Sequence, residues 1–170
     1  MNTDDVSVVV CMYDQARWNE IRRCLTSLKT QTYRPAKVVA VVDGNAALAE
    51  LVRREFDWVT LVALPTNQGL SAARNAGTAV VETPWVAFLD DDAYAAPDWL
   101  ERLVAARDES GALGVGGWVE PRFEVGQPRW FPAELLWTVG CSHAGLPRTR
   151  QLVRNVFGGC ALMSVDALRA

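Results

Sequence analysis

Three consecutive carboxylates, Asp90-Asp91-Asp92, follow the apolar run Trp85-Val86-Ala87-Phe88-Leu89 with no turn residue between them. Like charges crowded at the mouth of a buried strand disfavour one another's ionisation unless something positive stands among them. The hard cations Mg²⁺ and Mn²⁺ suit such oxygens and complete their shells with water and substrate phosphates. The triplet therefore points to a phosphate-bearing substrate. A solvated acidic turn that closes a strand uses the same residue types, and the triplet alone does not separate the two readings.

For such groups to act together, the chain must bring them to one place. Val6 to Cys11 is a continuous, β-branched run of the kind expected for a strand buried on both faces, and Lys37 to Val42 is a second. Between them Asn19 opens a helical pattern, with Ile21, Leu25 and Leu28 on one face, that ends near Gln31 before Pro35. The pattern predicts a helix over 46–56, a strand over 59–63, a turn at Asn67-Gln68-Gly69 and a helix over 71–81. Beyond the aspartates, Pro97 suits the first turn of a helix over 98–107, and Leu113 to Val119 returns to strand character. Strands alternating with helices imply right-handed crossovers and an α/β fold, a mostly parallel central sheet with helices on both faces. Ligands of such sheets bind outside the carboxyl ends of the strands. Each expected strand delivers polar groups there: Tyr13 and Asp14, then Asp43, then Asn67, then Asp90 to Asp92. That convergence separates a site from a solvated turn.

The 170 residues, half of them hydrophobic and 22% charged, suit a single globular domain with a sizeable core. A net charge of −3 gives no bulk attraction to nucleic acid, and no nucleic-acid partner is expected. Cys11, Cys24, Cys141 and Cys160 are widely spaced without a C-x-x-C pair, which excludes a readable zinc knuckle or dithiol centre and suits reduced thiols. The amino terminus carries Asp4 and Asp5, and its apolar run is too short for a signal peptide or membrane span. A cytoplasmic location, extending to the inner face of the membrane, is the expectation. The first turn, Met12 to Ala16, has no glycine, so neither the dinucleotide loop nor a P-loop is present.

Four segments in order, Val6 to Tyr13, Val41-Val42-Asp43-Gly44, Asn67 to Gly77 and Phe88 to Asp92, resemble the family 2 glycosyltransferases of GT-A fold. The resemblance implies inverting transfer of a sugar from a nucleotide-diphosphate donor, a UDP-sugar, to an acceptor, with Mn²⁺ or Mg²⁺ as cofactor. It implies that Asp43 accepts a hydrogen bond from the base, that Arg74 reaches base or diphosphate, and that Asn67 and Gly69 shape the turn beside the nucleotide, with Tyr13 at the same edge. Asp92 matches the principal metal ligand, Asp91 the carboxylate nearer the ribose or the metal's waters, and Asp90 a loop anchor or second ligand. Each has a plainer reading. Asp43 before Gly44 is also a common turn residue, Arg74 a solvated helix residue, and Asn67-Gln68-Gly69 a turn without ligand.

The resemblance divides the chain into a donor-binding part, 1–119, and the beginning of an acceptor-side part, 120–170. Trp118, Trp130, Phe131 and Trp137 could stack on sugar or cover lipid, although burial in the core is the commoner fate of aromatics. Gly158-Gly159 resembles the glycine-bearing strand of the sugar pocket, joined there by Trp118. The stretch from Trp130 to Cys141 resembles prokaryotic members that glycosylate lipid-linked phosphate sugars, the glucosyl-dolichyl phosphate glucuronosyltransferases among them. A sugar, lipid-linked or other hydroxyl acceptor and peripheral membrane association through it are the corresponding expectations. Arg148, Arg150 and Arg154 are candidates for an acceptor phosphate, and His143 for packing. The family's acidic general base has no counterpart in this sequence, so the chain reads as truncated at its carboxyl end, with the base expected beyond Ala170 and Glu120 and Glu124 as the carboxylates that remain. A sugar-1-phosphate nucleotidyltransferase shares the layout but wants a glycine-rich basic loop after the first strand. A non-catalytic nucleotide-sugar binding module would need nothing more than is present.

Overall fold

The computed structural model describes residues 5–123 and 125–170, so Asp4 and Glu124 lie outside the described residues. The strands and α-helices up to and including the acidic triplet's strand are β1 (Val6–Met12), α1 (Trp18–Lys29), β2 (Lys37–Asp43), α2 (Ala46–Glu55), β3 (Thr60–Leu64), α3 (Leu70–Ala79) and β4 (Trp85–Asp90). There follow α4 (Trp99–Ser110), β5 (Gly114–Gly116), β6 (Cys160–Ser164) and α5 (Val165–Arg169). The sheet order is β3-β2-β1-β4-β6-β5. The first four strands are mutually parallel, β6 runs antiparallel to β4, and β5 antiparallel to β6.

Why the apolar runs are continuous is visible in how they alternate. Val8, Val10, Met12, Val38, Ala40, Val42, Ala87 and Leu89 point into a core shared with Ile21 and Leu25 of α1, Leu48 of α2 and Leu100 of α4. Their neighbours Val9, Val39, Val41, Val86 and Phe88 point to the other face, against Ala73 of α3 and Val165 of α5. Both faces are covered, so the interior positions are apolar apart from Ser7, whose buried hydroxyl accepts from Thr83 Oγ1 at 2.9 Å. Helix α3 comes close enough that a Cβ at Gly77 would meet Val9 Cγ1 at 2.5 Å and Val41 Cγ2 at 2.9 Å.

The expected strand over 113–119 is shorter than its hydropathy suggests. Gly117 still donates from its backbone N–H to the Cys160 carbonyl at 3.0 Å. Val119 instead pairs with Ser142, donating to its hydroxyl at 2.9 Å and accepting from its amide at 2.8 Å. The chain thus leaves the sheet after β5, makes an excursion that includes a 3₁₀ segment over Ala133–Val139, and returns at β6. The excursion does not bury its aromatics. Trp130 is 78% and Trp137 58% exposed, against the expectation that they fill a core. They lie outside the two helical layers, and Trp130 meets Phe131 edge-on at 5.8 Å. No helix among the described residues is long and apolar enough to cross a membrane.

Candidate active site

The ends of β2 and β3 form one device. Asp43, last in β2 and 5% exposed, accepts the backbone N–H of Gln68 on Oδ1 and that of Gly69 on Oδ2, each at 2.8 Å. Gly44 next to it has φ +71°, and a Cβ there would stand 2.1 Å from the amide nitrogen of Asn67. Only glycine permits that approach. Asn67 Oδ1 also accepts from Gly69 N at 3.2 Å, and Gly69, at φ +88°, starts α3. The Asp-Gly and Asn-Gln-Gly segments, distant in sequence, are therefore halves of one corner, and Asp43 has a structural duty here. Asn45 caps α2 by accepting from Leu48 N and ties down the exit of β1 by donating to the Tyr13 carbonyl, both at 3.0 Å. The Tyr13 side chain is left 52% exposed at this edge.

The acidic triplet divides. The Arg74 guanidinium of α3 donates to Asp90 Oδ1 at 3.2 Å and lies 5.5 Å from the centre of the Phe88 ring. The glycines Gly158 and Gly159 close on this pair. A Cβ on Gly159 would stand 1.9 Å from Asp90 Oδ2, and one on Gly158 2.7 Å from Arg74 Nη1. Asp91 and Asp92 instead face Arg17, whose Nη1 donates to Asp91 Oδ1 and to Asp92 Oδ2 at 3.3 Å each. Asp91 is 6% exposed, and its Oδ2 is buried without a hydrogen-bond partner among the described residues. Burial pushes its carboxyl up to about 6, with Arg17 pulling the other way. Burial likewise raises Asp90, opposed by Arg74. The Asp92 side chain is 56% exposed and available. The structure thus brings Asp91 and Asp92 together and gives Asp90 a different partner. Among the described residues no three His, Cys, Asp or Glu side chains converge on one ion position.

Ser27 of α1 and Gln31 just beyond its end hold the loop that follows. Ser27 Oγ accepts from Ala95 N at 2.9 Å, while Gln31 donates to the Ala96 carbonyl at 2.8 Å and accepts from Leu100 N at 3.0 Å. Beside this loop Asp92 borders a cavity of about 410 Å³, lined also by Glu20, Arg23, Tyr94 and Arg122. Arg122 lies 5.5 Å from the centre of the Tyr94 ring. The sequence reading missed Arg17, Arg23, Tyr94 and Arg122, although Arg17 follows the β1 edge closely enough for the sheet-edge rule to have found it. Of the acceptor-side candidates, Arg148 covers the Trp118 ring at 4.3 Å and Arg150 is paired with Glu109. Arg154 is exposed. His143 Nδ1 accepts from Gly145 N at 3.2 Å within its own turn.

A parallel sheet with the antiparallel β6 inserted, and a site at its carboxyl edge, is the GT-A arrangement. The chain superposes on S. aureus TarS 1–349 with TM-score 0.68 at 19% identity, over 97% of this chain and 48% of that one. The mannosyltransferase PcManGT from Pyrobaculum calidifontis, solved with GDP-Man and Mn²⁺, gives TM-score 0.60 at 26% identity over 69% of this chain and 36% of that one. Residues 7–170 match the sequence profile of Glycosyl transferase family 2, and the chain belongs to that family. It is 39% identical, over 157 residues and 90% of its length, to the glucosyl-dolichyl phosphate glucuronosyltransferase of Haloferax volcanii. It spans 50% of that relative's length.

Proposed function

We propose that this chain binds a nucleotide-diphosphate sugar, preferentially a UDP-sugar, and serves its inverting, divalent-cation-dependent transfer to an acceptor. The observation that carries the reading is the gathering of Tyr13, Asp43, Asn67, Gly69, Arg74 and Asp90 to Asp92 along one edge of the sheet, the edge where ligands of such sheets bind. Family membership and a TarS structure solved in complex with UDP-GlcNAc, at TM-score 0.62 and 23% identity over 74% of this chain and 37% of that one, support it. Each Asp43 oxygen accepts one backbone N–H and keeps capacity for another, so uracil N3–H can be added without releasing the corner.

Asp92 and Asp91 suit a hard cation: both are oxygen donors, one guanidinium already reaches both, and Asp91 Oδ2 is unsatisfied. When bound with the donor diphosphate, such a cation offsets the charge that develops on the departing nucleotide. Arg74, anchored on Asp90, is assigned to the donor diphosphate, and Gly158 and Gly159, whose backbone packs closely against that pair, to the wall of the sugar pocket. The cavity bordered by Asp92, Arg23, Tyr94 and Arg122 gives an acceptor an approach beside the metal-side carboxylate. A lipid-linked phosphate sugar, the kind of acceptor in the name of the Haloferax relative, fits the cavity's two guanidinium groups. Asp43 and Asp90 to Asp92 are committed to loop, cation and arginines, so the acceptor's general base is assigned outside these four.

Replacing Asp92 with Asn keeps size and removes charge. Calorimetry is expected to show a strong fall in Mn²⁺-dependent UDP affinity in a folded Asp92→Asn variant. Unchanged metal-dependent affinity would sink the cation assignment.

A further inference from the structure

Arg17 belongs to none of the motifs that carry the family resemblance. It closes a 3₁₀ turn, Gln15–Arg17, that follows β1 and is capped by Asp14, whose Oδ1 accepts from Ala16 N at 2.9 Å. That turn holds the guanidinium over the β4 edge, where one nitrogen, Nη1, contacts a buried and an exposed carboxylate at the same 3.3 Å. A single nitrogen between two acidic oxygens makes neither of the bidentate pairings to which a guanidinium fork is suited. It occupies the position of a point charge. Its side chain is 41% exposed and free to leave, whereas Asp91 is fixed by burial and retains an unsatisfied inner oxygen.

We infer that Arg17 is an exchangeable counter-ion, holding Asp91 and Asp92 together until a divalent cation takes its place. The inference rests on the cation reading above and adds a residue that works against metal binding in the absence of donor. Displaced, the guanidinium would stay tethered at the same sheet edge with its donors unpaired, ready for an anionic oxygen of the bound diphosphate. Metal alone then binds weakly, and metal with nucleotide binds well, because the nucleotide supplies the partner that Arg17 loses. The linkage is reciprocal, as any coupling of two binding equilibria must be.

The test is Mn²⁺ binding to the folded protein, followed by electron paramagnetic resonance of the free ion without and then with UDP, alongside thermal denaturation. Removing a cation from two partly exposed pairs is expected to tighten Mn²⁺ alone by roughly three- to tenfold in Arg17→Ala, while Arg17→Lys stays near wild type. UDP should then improve Mn²⁺ affinity by a smaller factor in Arg17→Ala than in wild type. Without metal, Arg17→Ala should melt below wild type, with Mn²⁺ closing the gap. If Arg17→Ala is folded and binds Mn²⁺ no more tightly than wild type, the counter-ion role is overturned and the cation reading stands. If neither protein binds Mn²⁺ with or without UDP, the cation reading falls and takes this inference with it.

Discussion

Asp43 serves the fold at an edge where the proposed ligand would also need it. Its carboxylate secures the amides of Gln68 and Gly69, and both amides can turn to water when it is removed. Asp43→Ala is therefore expected to cost about 1–3 kcal/mol of stability, read from urea denaturation. If its free lone pairs also receive the base, UDP should lose about 1.5–3 kcal/mol while ribose 5-phosphate, which has no base, is unaffected. Equal losses for both would mean that Asp43 acts only through the corner it holds. The triplet was harder to read at this scale. Three identical residues carry no internal mark of which faces what, and the turn that sorts them is not written in the triplet. The chain turns after β4, with Ala93 N donating to the Asp90 carbonyl at 3.1 Å. The turn carries Asp92 round to join Asp91 under Arg17.

The elements up to α4 were legible because β1, β2 and β4 are covered on both faces and read as apolar runs, β3 is a short apolar run at the sheet edge, and helices α1 and α2 need one apolar stripe each. The corner between β2 and β3 was only half legible. A glycine in a turn is unremarkable in sequence, and nothing in Asp43-Gly44 announces that the Asn67 backbone crosses it. Two glycines in this corner should respond differently to substitution. Gly44→Ala combines left-handed backbone with a backbone collision at 2.1 Å and is expected to cost about 3 kcal/mol, from ~1–2 of strain and ~1–3 of overpacking. Gly69→Ala, at a positive-φ extended backbone that glycine alone adopts readily, has strain alone, with nothing within 4 Å of the added methyl, and should cost about 1–3 kcal/mol. Equal urea midpoints for the two variants would contradict the close approach. The region after β5 escaped the sequence reading because its aromatics signal burial by composition, whereas the chain carries Trp130 and Trp137 outside both helical layers.

For the molecule as a whole, the cysteines report on how far the layers move together. All four thiols are free, and burial pushes Cys11 up to about 12 and raises Cys24, Cys141 and Cys160. The thiolate is the reactive form, so at pH 8 each should resist iodoacetamide until its surroundings open. Cys24, fully covered by the α1 core, is expected to label only at the rate of global unfolding. Cys141, in the excursion between β5 and β6, should label first, by local opening. Mass spectrometry of digested, partially labelled protein resolves the order. Simultaneous labelling of Cys141 and Cys24 would show that the excursion unfolds only with the sheet.

The antiparallel setting of β6 has a consequence for how this architecture can vary. Because β5 ends and β6 begins at the same edge, and Gly117 is hydrogen-bonded to Cys160, the whole excursion leaves and re-enters through neighbouring positions. A segment anchored in that way behaves as an interchangeable cassette: its length and composition can be rewritten without shifting the register of any strand. The cassette also ends on Gly158 and Gly159, against the Asp90–Arg74 pair. Its re-entry point is thereby fixed to the end of β4, so the excursion can diversify while the carboxyl edge of the parallel strands stays constant.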